Sequence, residues 1–86
     1  MKPPQDSETA PNFEFDALRA ADNYRHSLIR EFRPHLRGRL IEVGAGIGQM
    51  TQLLRGLTTV ERLLCIEPDP ALCWEFRQTL PDQPLL

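Results

Sequence analysis

Three glycines, Gly44, Gly46 and Gly48, alternate with Ala45 and Ile47 directly after a short apolar run, Leu40-Ile41-Glu42-Val43. Lacking a β-carbon, glycine reaches backbone angles closed to other residues and lets a ligand approach the chain closely. A helix that follows such a turn presents unpaired N–H groups and a partial positive charge, which suit a carboxylate or phosphate. Two carboxylates accompany the turn: Glu42, two residues ahead of Gly44, and Glu67, 23 positions beyond it. In open parallel sheets ligands bind at the carboxyl ends of strands. A carboxylate placed there, roughly 20 residues after the glycine turn, can accept hydrogen bonds from both hydroxyls of a ribose. The spacing separates two ligand classes, because the dinucleotide fingerprint GxGxxG requires glycine at position 49, where this chain has Gln49. The pattern here is GxGxG. Against this reading stand a ligand-free strand-to-helix turn and, for Glu67 taken alone, an exposed loop carboxylate. Asp69 precedes Pro70, so helix capping accounts for it without a ligand.

Elements of matching kind surround these residues. Leu18, Ala21, Leu28, Ile29 and Phe32 recur at helical spacing with charged residues between them. Pro34 ends that pattern near Arg33. Asn23 can cap a second helix, so one broken helix and two short ones are both compatible with the pattern. Residues 40–43 predict a strand buried on both faces of a parallel sheet. Met50, Leu53, Leu54 and Leu57 predict a short helix ending near Gly56. Residues 62–67 (RLLCIE) predict a second strand, and Leu72, Phe76 and Leu80 line one face of a helix that Pro81 stops. The order helix, strand, helix, strand, helix implies an α/β fold: a parallel sheet with right-handed crossovers, half of a doubly wound, Rossmann-like arrangement.

Composition narrows the class. The chain has 86 residues, 41% hydrophobic and 26% charged, which supports one small domain with a modest core. A formal net charge of -2 supplies no basic field for phosphates, so nucleic acid is not the expected partner. Cys65 and Cys73 form no CxxC pair, and His26 and His35 complete no ligand spacing, so no metal is expected. Both cysteines read as small buried hydrophobes in a reducing compartment. Residues 1–12 (MKPPQDSETAPN) hold three prolines and no large apolar residue after Met1, and are expected to form a disordered tail. No run approaches the roughly 20 apolar residues of a membrane helix, and the expected location is cytoplasmic.

The segment E-x-G-x-G-x-G from Glu42 to Gly48, LIEVGAGIGQMTQLL around it and LLCIEPDPAL beyond it resemble the first part of a class I S-adenosylmethionine-dependent methyltransferase. The resemblance runs from about Tyr24 through Leu80. It implies a cofactor-binding set of Glu42, Gly44, Ala45, Gly46, Gly48, Glu67 and Pro68, in which Gly44, Ala45 and Gly46 lie along the methionine portion of S-adenosylmethionine, Glu42 supports the turn, and Glu67 binds the ribose. Pro68 occupies the place where the family often puts an apolar residue against adenine. Tyr24 lies in a leading helix that brushes the cofactor in several members; here it is read as an ordinary packing residue. The E-x-G-x-G-x-G-x-x-T pattern ending at Thr51 and the I-E-x-D of Ile66 to Asp69 also occur in ribosomal RNA adenine dimethyltransferases. The missing basic surface favours a small-molecule acceptor instead.

The family's domain exceeds twice this length. Its third strand would begin about where Leu86 stands, and its fourth strand would lie beside the first. The chain therefore reads as a truncated form in which residues 13–86 hold the cofactor-binding half. The open edge of its first strand invites a partner chain. Three functions stay open: a methyltransferase portion, a non-catalytic module that completes its sheet with another chain, and a small dinucleotide-binding piece, against which Gln49 counts. No residue is assigned as catalytic base; neither His26 nor His35 has a setting that suits the role. Alone, the chain is expected to bind the cofactor weakly and to turn nothing over.

Overall fold

The computed structural model describes the backbone of residues 4–86 and the side chains of residues 13–86. The chain runs through helix α1 (Pro4–Phe32), a short 3-10 turn (Arg33–His35), strand β1 (Gly38–Val43), helix α2 (Gln49–Arg55), strand β2 (Val60–Ile66) and helix α3 (Pro70–Thr79). Pro34 sits inside the 3-10 turn and α1 stops at Phe32, as expected where proline disfavours the helical state of the residue before it. Of the two leading-helix arrangements left open, a single continuous helix is present, and Asn23 lies within it. For residues 1–12, expected as a disordered tail, the described part is the helical backbone from Pro4; Met1 to Pro3 and the side chains up to Asn12 lie outside the described residues.

Strands β1 and β2 pair in parallel, with Leu40 opposite Leu63, Glu42 opposite Cys65 and Val43 opposite Ile66. The far edge of β2 is also occupied. Cys65 N–H donates to the Pro84 carbonyl at 3.1 Å, Leu86 N–H to the Cys65 carbonyl at 2.8 Å, and Glu67 N–H to the Leu86 carbonyl at 3.3 Å. Residues 84–86 thus run parallel beside β2, bridged at Leu85. Gln83, 7% exposed, secures this segment by donating its side-chain amide to the Leu63 carbonyl at 2.6 Å. That contact leaves no periodic mark in the sequence.

The core lies between the sheet and α3: Cys65 and Phe76 are fully buried and join Ala45 and Leu80, with Leu63 and Leu85 against them. The Leu72, Phe76, Leu80 face therefore points inward as its spacing predicts, with Phe76 at its centre. Asp69 caps α3, its Oδ1 accepting the N–H groups of Ala71 at 2.9 Å and Leu72 at 3.4 Å, with Pro70 at the first helical position.

One expectation is corrected. Burial along β1 alternates rather than covering both faces: Leu40 and Glu42 are half-buried, while Ile41 is 64% and Val43 77% exposed. Among the described residues no element covers that face, and β1 pairs on one edge only. Its apolar run satisfies the composition of a doubly buried strand without the second covering layer.

Candidate functional site

The glycine turn leaves β1 at Val43 and delivers the chain to α2. Gly44, Gly46 and Gly48 all adopt positive φ, at 74°, 61° and 94°, a region costly for residues with a β-carbon. Their surroundings divide them. A β-carbon on Gly44 or Gly46 would meet nothing within 4 Å, so the backbone there faces open space. On Gly48 it would lie 2.7 Å from Leu80 Cδ1 and 3.2 Å from Phe76 Cδ2. Gly44 and Gly46 leave room for a ligand, whereas Gly48 lets α2 and α3 close together. Ala45 belongs to the core at 6% exposure, so only its backbone can face a ligand.

Most donors of this turn already have acceptors. Gly44 and Ala45 N–H donate to the Ile66 carbonyl at 2.8 and 3.1 Å, and Gly48 N–H to the Ala45 carbonyl at 3.0 Å. The anion cradle that a glycine turn ahead of a helix suggests is thus largely closed by the protein's own groups. What remains is a close approach along Gly44 and Gly46.

Glu67 sits at the carboxyl end of β2, beside the turn. Its Oε1 accepts Gly46 N–H at 2.7 Å and its Oε2 accepts Asp69 N–H at 3.0 Å. At 8% exposure it is a buried carboxylate held by one hydrogen bond on each oxygen, not a loose loop side chain. A carboxylate offers about four acceptor positions, so acceptor capacity remains on both oxygens. The backbone beneath is fixed as well, because the Cys73 thiol donates to the Glu67 carbonyl at 2.9 Å. Pro68 is exposed immediately after it.

Glu42 bonds to α2 and β2 beneath the turn. Among the described residues it makes no hydrogen bond to the glycine turn itself. Its Oε1 accepts the Thr51 hydroxyl at 2.5 Å and the Cys65 thiol at 3.5 Å, and Cys65 Sγ also lies 3.8 Å from Thr51 Oγ1. A hollow of about 250 Å³ between α1, β1 and α2 includes Glu42 together with Leu28, Phe32 and Met50.

Thr51 and Cys65 are fully buried. Burial pushes the Cys65 thiol up to about 11, with the Thr51 hydrogen bond opposing and the Glu42 charge adding to the rise. The folded state therefore favours the neutral thiol. The associated stability is complete below the ordinary value of 9.0 and is lost as pH rises through about 11. Denaturant unfolding of the wild type should lose about 2 kcal/mol more between these limits than unfolding of Cys65→Ala. Identical pH profiles for the two proteins would remove this contribution.

Tyr24 is 63% exposed on α1 and does not fill the packing role expected of it. His26 is exposed with Nε2 3.6 Å from Asp22, and His35 is exposed in the 3-10 turn. Neither approaches the glycine turn through any hydrogen bond. Cys73 is half-buried rather than buried. Among the described residues no group of three metal-ligating side chains occurs, and no helix is long and apolar enough to cross a membrane. No family model, curated protein or solved structure matches the chain.

Proposed function

We propose that this chain is the cofactor-binding portion of a class I S-adenosylmethionine-dependent methyltransferase that acts on a small-molecule acceptor. One observation carries the reading. Glu67, at the carboxyl end of β2, lies 2.7 Å from the N–H of Gly46, in a turn where Gly44 and Gly46 have positive φ and open space before them. A nucleoside ligand lying along that turn meets a carboxylate whose remaining acceptor positions suit the two hydroxyls of a ribose. Gly44, Ala45 and Gly46 offer the backbone surface for the rest of the cofactor. In this reading Pro68, exposed immediately after Glu67, would flank the base.

Further support comes from strand order. Residues 84–86 run beyond β2, where the third strand of a doubly wound 3-2-1 order would lie. The open edge of β1 is where a fourth strand of such a sheet would pair. The exposed Ile41 and Val43 beside it suit cover from another part of the same fold or from a partner chain. That exposed face is also the observation favouring a second reading, a non-catalytic module that completes its sheet with another chain.

S-adenosylmethionine supplies an electrophilic methyl group on a sulfonium, and the protein's contribution is to position it and exclude competing geometries. The residues of this chain bind and orient. Neither His26 nor His35 is set as a base.

Calorimetric titration with S-adenosylhomocysteine tests the proposal, with NAD as the control. Saturable binding of the first and none of the second is expected, since Gln49 stands where a dinucleotide turn needs glycine. A folded chain that binds neither ligand, or prefers NAD, defeats the proposal.

A further inference from the structure

The glycine turn is built from residues that hold backbone geometry poorly. Within residues 44–48 three positions are glycine with positive φ, and at Gly44 and Gly46 a β-carbon would meet nothing within 4 Å, so no packing restrains them. Glycine loses more conformational freedom on ordering than any other residue, so a turn of this composition gains from restraint beyond its own amide bonds to Ile66, Glu67 and Ala45. Such a restraint spans it. Glu42, the penultimate residue of β1, accepts a hydrogen bond at 2.5 Å from the hydroxyl of Thr51, the third residue of α2. The bond closes a loop of which the glycine turn is the interior. On the strand side the same oxygen is met by the Cys65 thiol from β2 at 3.5 Å. One carboxylate oxygen thus joins β1, α2 and β2 beneath the turn, with both donors fully buried.

We infer that Thr51 is a positioning residue that staples the glycine turn through Glu42, holding Gly44 and Gly46 in the conformation that receives the ligand. Its action on the ligand rests on the cofactor-binding reading above; its action on the turn does not. Threonine suits the task. Its hydroxyl donates to Glu42, and its side chain, methyl group included, is fully buried. Valine preserves that shape and deletes the donor, whereas serine keeps the donor and deletes the methyl. The two roles separate by substitution.

The test compares wild type with Thr51→Val, Thr51→Ser and Glu42→Gln by amide hydrogen exchange followed by NMR, then by titration with S-adenosylhomocysteine. The amides of Gly44, Gly46 and Gly48 each have an acceptor and so report opening of the turn. Those of Cys65 and Leu80 report opening of the core. Thr51→Val should speed exchange at the turn about tenfold beyond any change at the core amides, the lower end of what a hydrogen bond to a charged acceptor contributes. Thr51→Ser should restore the wild-type ratio. Glu42→Gln, which keeps the shape and weakens the acceptor, should fall between them and serves if Thr51→Val does not fold. Affinity for S-adenosylhomocysteine should fall in the same order, also about tenfold for Thr51→Val. If the wild type binds no S-adenosylhomocysteine but Thr51→Val still loosens the turn selectively, the staple stands and the ligand reading falls. If turn and core amides change together, or serine fails to rescue, Thr51 is a packing residue and the inference is overturned.

Discussion

Gly48→Ala is expected to destabilise the chain by about 2–4 kcal/mol, from forced overpacking together with the cost of left-handed backbone for a residue bearing a β-carbon. The added methyl would lie 2.7 Å from Leu80 Cδ1 and 3.2 Å from Phe76 Cδ2, and Phe76 is fully buried at the centre of the core. The aromatic ring has little freedom to move aside, and φ at this position is 94°. In so small a domain, whose total stability is expected at about 5 kcal/mol, that loss leaves little margin. Gly44→Ala is the informative companion. Its φ of 74° carries the same backbone penalty, but nothing lies within 4 Å of the new methyl. It should cost only about 1–2 kcal/mol. Urea unfolding of the two variants checks the difference. Equal costs would mean that α2 and α3 do not pack closely through Gly48.

Glu67→Ala is expected to weaken binding of S-adenosylhomocysteine by more than about a hundredfold. Two hydrogen bonds to a charged acceptor contribute about 1.5–3 kcal/mol each, and both disappear. The substitution also strips the acceptors from Gly46 N–H and Asp69 N–H, so the turn and the start of α3 lose a shared anchor. Glu67→Gln separates these effects. Its amide keeps one acceptor oxygen but turns an NH₂ group toward a backbone N–H that the carboxylate now satisfies. Binding should be intermediate, and folding closer to wild type than in Glu67→Ala. Isothermal titration read against the urea midpoint checks the order. Wild-type affinity in Glu67→Ala would exclude the ribose role.

Much of this arrangement was legible in the residues because local rules and tertiary packing agree. Asp69-Pro70 starts a helix by capping chemistry, and it starts one here with Oδ1 on two backbone N–H groups. Gly44 and Gly46 suit positive φ, and both adopt it. The parallel pairing of β1 and β2 follows from strand, helix, strand order. The parts that were not legible depend on contacts between residues distant in sequence. Glu42 accepts from Thr51 rather than from the turn's own amides, because its side chain points to the half-buried face that α2 covers. Gln83 fastens residues 84–86 to β2 by one amide contact across 20 positions, which no periodicity encodes. Ile41 and Val43 look like core residues by composition. Their exposure depends on which layers surround β1, a property outside the strand itself.

Under the proposed function the glycine turn and Glu67 together receive a nucleoside cofactor. Mapping backbone amide shifts by NMR while adding S-adenosylhomocysteine tests it most directly, since it reports place as well as affinity. The expected result is saturable movement of Gly44, Ala45, Gly46, Glu67 and Asp69 amides, with those of α1 unchanged and NAD producing no such pattern. Movement confined to other residues, or none at saturating ligand in a folded chain, would contradict the claim.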